Sequence, residues 1–451
     1  MSRPTRLPAM RPVTRGASRE PRPPEHSEPR VPPSPPPRRD ESSSGGGGET
    51  PPPPFDVMVG ATHRTPQYGV LGKTKEGQRV ALDLNGCAVI SLFGVQGSGK
   101  SYTLGAIAEM AALGVPRVSK LETPLGVVFF HYHQSDAYEP EHARATEPND
   151  NPSEVVRLYR EYGAAPAGLS DVVILTPSEL LEKRRAEFPS IEVLPLKFGP
   201  SEIGAAGWRF LLGAVGNSSL YVRQIVAIMR KLRDSLSPQT LREEIKRAEL
   251  KDEIQKLAED RIKLAEPYID DDARLGDLMR PGRTIIVDLR DEWLDKDDAL
   301  GLFVVMLHIF GKVQHNGAPM NKLVVFDEAH KYISDSSLIG EVVETIRQVR
   351  HEATTVVIAS QDPMSVPRAV IELTSVLVLH RMTSPAWLKH LKSAIAPLSK
   401  VRVDDLQTMV PGEALVWART SSSEKFQLAP QRVTVRPRFS RHGGGTQTAV
   451  K

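Results

Sequence analysis

The sequence predicts an α/β fold with a doubly wound, mostly parallel sheet, and three observations carry that prediction. Short apolar runs at 88–93, 127–130, 172–175, 284–289, 323–326, 356–359 and 375–379 are rich in Val, Ile and Leu and do not alternate strictly. Strands buried on both faces of a parallel sheet read this way. Helical patterns lie between many of these runs, which is the alternation of an α/β sheet covered on both sides. The composition is that of a globular chain: 451 residues, 40% hydrophobic and 25% charged, enough to bury a large core.

Taken in order, residues 1–54 are Pro-, Ser-, Gly- and Arg-rich and include Gly45 to Gly48 and Pro51 to Pro54. With so little apolar surface, this stretch is expected to be a disordered tail. Its first 19 residues carry Arg and no acid, as a transit peptide does, but Pro4, Pro8 and Pro12 oppose the helix such a peptide needs. No secretory signal pattern is visible. The ordered domain is expected over 55–442, with a loose C-terminal tail at 443–451. A net charge of +3 is nearly neutral for this length, so it neither requires nor excludes a nucleic-acid partner. No apolar run reaches the ~20 residues of a membrane span; the best candidate, 300–310, reads as a core helix. The single cysteine, Cys87, opens an apolar run and is expected to be a buried strand residue in a reduced, cytoplasmic compartment.

The first strand run leads into Gly94-Val-Gln-Gly-Ser-Gly-Lys-Ser101, a full G-x-x-x-x-G-K-[ST] match. A helical pattern follows, with Leu104, Ile107, Ala108 and Ala111 on one face, closing at Gly114 and Pro116. That strand–loop–helix context is what a phosphate loop requires. Gly94, Gly97 and Gly99 let the backbone wrap phosphate, and Val95, Gln96, Ser98 and Tyr102 complete the candidate nucleotide contacts. Lys100 would reach the β- and γ-phosphates, and the Ser101 hydroxyl would hold Mg2+.

Beyond the second run lie His131 and His133, two apart and without a third metal ligand. One region breaks the alternation: from Trp208 to about Tyr268 the pattern is helical, Ser237-Pro238 reads as an N-cap with a first-turn proline, and Pro267 ends it. An α-helical insertion is therefore expected over about 205–275. The run at 323–326 delivers Asp327 and Glu328 to a strand's C-terminal end, the edge where open α/β sheets bind ligands. Asp327 would support magnesium, and Glu328 would deprotonate the attacking water. The run at 356–359 ends near Gln361, a candidate sensor of the γ-phosphate or lytic water. A carboxylate placed for water points to hydrolysis and away from a small-molecule kinase.

These residues together resemble the HerA/FtsK group of P-loop ATPases. Asp327-Glu-Ala-His330 resembles the D-E-A-H segment of HerA-like proteins, and Arg350 through Gln361 resembles their stretch from an arginine to a strand-end glutamine. Tyr68 to Gly72 with Val80 to Leu84 resembles their lead-in hairpin; Arg381 to Pro385 and Pro437 to Arg441 resemble later segments, so the likeness spans roughly 65–441. The resemblance implies a RecA-like P-loop NTPase using ATP and Mg2+, a homo-hexameric ring, and a DNA translocase or helicase. It also implies a partner nuclease or other protein and an arginine finger, Arg350 by position or Arg381 at a strand end. The chain departs from the family's acidic turn after the second strand; Asp136, followed by Glu139, is the candidate substitute. It also has about 30 residues where HerA proteins carry an N-terminal barrel. The alternative reading is a nucleotide-gated assembly or signalling ATPase that switches a protein partner without tracking DNA. Neither reading calls for a membrane.

Overall fold

The computed structural model describes residues 54–214, 219–333 and 339–443. The expected N-terminal tail, apart from Pro54, and the C-terminal tail beyond Gly443 lie outside the described residues. The lead-in consists of β1 (Val57–Val59), β2 (Tyr68–Thr74) and β3 (Arg79–Asp83), then β4 (Val89–Phe93) before the phosphate loop. There follow β5 (Ser119–Lys120), β6 (Gly126–His133), β7 (Val172–Thr176), β8 (Glu192–Pro195) and β9 (Thr284–Arg290). A small hairpin, β10 (Gln314–His315) with β11 (Ala318–Pro319), precedes β12 (Lys322–Phe326), β13 (Thr354–Ser360) and β14 (Val376–Leu379). The last strands are β15 (Glu413–Ala418) and β16 (Gln431–Val435).

Apart from that hairpin, these strands form one sheet in the order β1-β3-β2-β16-β15-β14-β4-β13-β12-β6-β9-β7-β8, with β5 beside β2. From β14 to β8 every pairing is parallel. The lead-in hairpin does not close a separate barrel. It pairs antiparallel within itself and, through β2 and β16, extends the main sheet.

Side chains that alternate along each central strand feed two cores, one per face. Val324 and Phe326 of β12 join a core with helix Lys296–Gly311 and with Trp208, Ile225, Leu241 and Ile262 of the helical insertion. Leu323 and Val325 join the other, which holds Leu104, Ile107, Met110 and Ala111 of the phosphate-loop helix, Lys100–Ala112. The sheet is therefore doubly wound, as its sequence predicts.

The insertion carries helices Ala205–Leu211, Leu220–Leu232, Pro238–Arg247 and Asp252–Ala265. Ser237 caps the third: its Oγ accepts from Thr240 N at 3.1 Å, while Ser237 N donates to Thr240 Oγ1 at 2.9 Å. Helix Lys296–Gly311, foreseen as a core helix, is buried along nearly its whole length. Among the described residues no helix is long and apolar enough to cross a membrane.

Cys87 departs from expectation: it is half-buried and lies before β4, not within it. The preceding turn explains this. Asp83 accepts from Asn85 N at 2.9 Å and from Gly86 N at 3.1 Å, which holds the chain in a bend and delays strand entry to Val89.

Candidate functional site

The phosphate loop leaves β4 between the ends of the two strands that flank it, β13 and β14. Gly94 N donates to Ser360 O at the end of β13, and Val95 N donates to Arg381 O just beyond β14, at 3.1 Å. A Cβ at Gly94 would lie 2.6 Å from both His380 Cβ and Ser98 Oγ, so the loop cannot pass here with a side chain. Gly99, at φ +96°, turns the chain into the helix, a conformation that favours glycine. No side chain caps this helix N-terminus, so its first N–H groups are left for an anion.

β12 ends at Phe326, and the turn after it presents Asp327 and Glu328. Glu328 sits at φ +49°, in the left-handed region, and strain of this kind concentrates at functional sites. Its Oε1 accepts from Lys100 Nζ at 2.6 Å and from Gln361 Nε2 at 2.9 Å. Asp327 Oδ1 lies 3.9 Å from the same ammonium and accepts Glu328 N at 3.0 Å. The Tyr332 hydroxyl, donating to Asp327 O at 2.8 Å, pins the turn from below. Burial alone would lower the Lys100 pKa, but Asp327 and Glu328 hold it above the ordinary lysine value, so it stays charged. Burial lowers His330, whose Nδ1 is 3.3 Å from Glu328 Oε2.

Lys100, Asp327, Glu328, His330 and Gln361 line a cavity of about 390 Å³ along with Val95, Gln96, Gly97, Gly99, Ser101 and Tyr102. Gly94 and Ser98, also expected as contacts, are buried and not part of the lining; Ser98 is fully buried. The loop, both acids of β12 and the β13 glutamine are thus brought together at one sheet edge.

Asp136 goes elsewhere. It pairs with Lys183 and accepts from Arg184 Nη2 at 2.6 Å, while its carbonyl accepts from Arg290 Nη1 at 2.8 Å. The Lys183 hydrogen bond, with Arg184 beside it, holds its carboxyl down to about 2. Arg184 also reaches Asp288 at 3.1 Å, and Arg290 reaches Glu187 at 2.9 Å, so Asp136 belongs to a structural ion cluster at the ends of β6 and β9. The carboxylates that line the cavity from this segment are Glu139 and Glu141. Burial, with Asp327 beside it, pushes the Glu141 carboxyl above the usual range, and its Oε2 is buried without a partner. The sequence signal for Glu141 was only its place, a few residues past the second strand.

His131 and His133 line the same cavity, but not as a pair of free ligands. His131 Nε2 is 2.9 Å from Tyr138 O, and His133 Nδ1 accepts Ser135 N at 2.8 Å. Burial, with Lys331 nearby, lowers His133 to about 4. The two finger candidates lie outside the cavity lining. Arg350 is exposed at the N-terminal end of β13, the end opposite Gln361. Arg381 is half-buried and touches the loop through its carbonyl.

The site fits a nucleoside triphosphate with magnesium. An uncapped helix N-terminus and a charged lysine face the cavity, and the Ser101 hydroxyl and the carboxylates of Asp327 and Glu141 gather on one side of it.

No family model matches the chain, and no curated protein matches it. Solved structures do. The bacterial conjugative coupling protein TrwB, in an unbound form, is 11% identical with a TM-score of 0.50, over 85% of this chain and 91% of its own. VirB4 of Thermoanaerobacter pseudethanolicus is 14% identical at a TM-score of 0.48, over 84% of this chain and 98% of its own. The genome packaging NTPase B204 of Sulfolobus turreted icosahedral virus 2, in complex with sulfate, is 9% identical at 0.35, over 79% and 99%. At such identities the likeness is one of fold. The chain has a RecA-like P-loop fold, shared with the TrwB structure.

Proposed function

We propose that this chain is an ATP-hydrolysing ring motor of the HerA/FtsK type, acting on DNA as a translocase or helicase. The observation that carries the hydrolytic part is the chain of contacts from Lys100 through Glu328 to Gln361, which joins the phosphate loop, the acid after β12 and the glutamine after β13. In this arrangement the lysine and the base neutralise each other. A γ-phosphate entering the loop competes for Lys100 and draws it off Glu328. The freed carboxylate can then take a proton from water, while Gln361, still donating to it, reports the change to the end of β13. Ser101 and Asp327 would hold magnesium, with Glu141 beside them; the ion would supply charge neutralisation for the phosphates.

The DNA part rests on the sequence resemblance, and the hexamer and the partner nuclease belong to the same reading. A motor of this class needs only sequence-independent phosphate contacts from Lys and Arg. The test measures ATP turnover and particle size together, with and without duplex DNA. The motor reading expects a ring with ATP and turnover stimulated by DNA. Turnover that ignores DNA but responds to a protein partner would replace it with the switching ATPase.

A further inference from the structure

The segment after β16 is bolted to the phosphate-loop helix by a buried carboxylate, Glu109. Glu109 Oε1 accepts from Arg436 Nη1 at 2.7 Å and from Phe439 N at 2.8 Å, and its Oε2 accepts from Ser440 N at 3.0 Å. Arg436 also donates to Ala106 O at 2.9 Å and Val70 O at 2.9 Å, and Arg438 N donates to the Tyr102 hydroxyl at 2.8 Å. So many fixed bonds at fully buried groups leave the strap one course over the helix. That course ends at His442, an exposed ring on the cavity lining, edge-on to Tyr102 at 5.5 Å.

We propose that His442 is the wall on which the base of the bound nucleotide rests, and that the Glu109–Arg436 anchor positions it. This rests on the reading of the cavity as a nucleotide site. A triphosphate whose last phosphate meets Lys100 and Glu328 leaves its nucleoside on the side away from Gln361. Tyr102 and His442 stand together on the lining, two residues along the helix from Lys100 and at the end of the strap. Tyr102 is half-buried and its hydroxyl is held by Glu154 at 2.7 Å and by the strap, whereas His442 is exposed, so the more open ring is the imidazole. Every base offers a π-face, so such a wall adds affinity for nucleotides over bare phosphates.

The experiment titrates the full chain, with Mg2+, against ATP and against inorganic triphosphate by calorimetry. His442→Ala is expected to weaken ATP roughly tenfold, in the range of a lost base–aromatic contact, and to leave triphosphate unchanged. His442→Phe is expected to restore ATP binding. If His442→Ala changes neither ligand, or both alike, the proposal is overturned while the phosphate-loop reading stands. If the wild-type chain binds neither ligand, the nucleotide reading itself falls, and the proposal with it.

Discussion

Lys100 is 3% exposed, less open than a loop lysine suggests, and its ammonium is held by two carboxylates. Its partner Glu328 keeps a second donor, Gln361, when the lysine is removed. Lys100→Ala is therefore expected to lose ATP turnover and keep its far-ultraviolet dichroism, both measured on one preparation. Glu328→Gln keeps the shape and an acceptor oxygen but no base; it should bind ATP and hydrolyse it about 10²–10⁴-fold more slowly. Equal loss of nucleotide binding in Asp327→Asn and Glu328→Gln would contradict the division of labour between the two acids. A third residue, His380, makes a pH prediction. Its Nδ1 lies 2.8 Å from Glu413 O, so Nδ1 carries the proton and donates, while Nε2 is buried without a partner. Burial lowers its pKa to about 4, despite that hydrogen bond. The unfolded imidazole titrates near 6.5, so the unfolded state binds more protons between the two values. Stability from His380 is then fully present above pH ~6.5 and lost as the pH falls towards 4. Urea unfolding at pH 7 and pH 5 should show a drop that His380→Asn reduces; an equal drop in the variant would rule this histidine out.

At the scale of elements, the strands were legible because each apolar run had to be buried on both faces, and the runs at 323–326 and 356–359 lie within β12 and β13. The same logic delivered Asp327, Glu328 and Gln361 to one edge, since parallel strands end together. What could not be read was which of several nearby acids turns inward. Asp136 and Glu141 lie five residues apart, and Arg184 and Arg290, far along the chain, decide the matter by capturing the first. Glu109 was equally hidden. Helical spacing sets it beside the apolar face, and only the return of the chain after β16 buries it, at 1% exposure. The strap explains Gly105 too. In a helix interior, Gly→Ala ordinarily stabilises by about 1 kcal/mol. Here the new Cβ would lie 2.3 Å from Arg438 Cζ, a buried guanidinium that also donates to Ser440 Oγ at 2.7 Å. Gly105→Ala is expected to destabilise by roughly 1–3 kcal/mol in urea unfolding, as overpacking does. A gain in stability would mean that the strap is not seated on this helix.

At the scale of the whole molecule, the proposed ring would bring to each site a group that the cavity of one chain does not contain. Among the described residues neither Arg350 nor Arg381 lines that cavity or pairs with a carboxylate. The two differ in place. The seven residues of β13, at ~3.3 Å each, set Arg350 roughly 20 Å from Gln361 on the opposite sheet edge. An exposed arginine there cannot serve its own chain's nucleotide; it can serve one only across an interface. Arg381 lies beside its own loop and could act from within the chain or across an interface. A guanidinium delivered to the transferring phosphoryl group is worth about 10³–10⁵ in rate, far more than a surface ion pair's ~1 kcal/mol. Arg350→Ala is therefore expected to be nearly inactive while binding ATP normally. Mixed with inactive Lys100→Ala, it should recover part of the turnover, because some interfaces then pair an intact lysine site with an intact arginine. If mixed assemblies form without rescue while Arg381→Ala does complement, the finger is Arg381. If the chain stays monomeric with ATP and DNA and still turns over briskly, no residue acts across an interface and the ring is not the working unit.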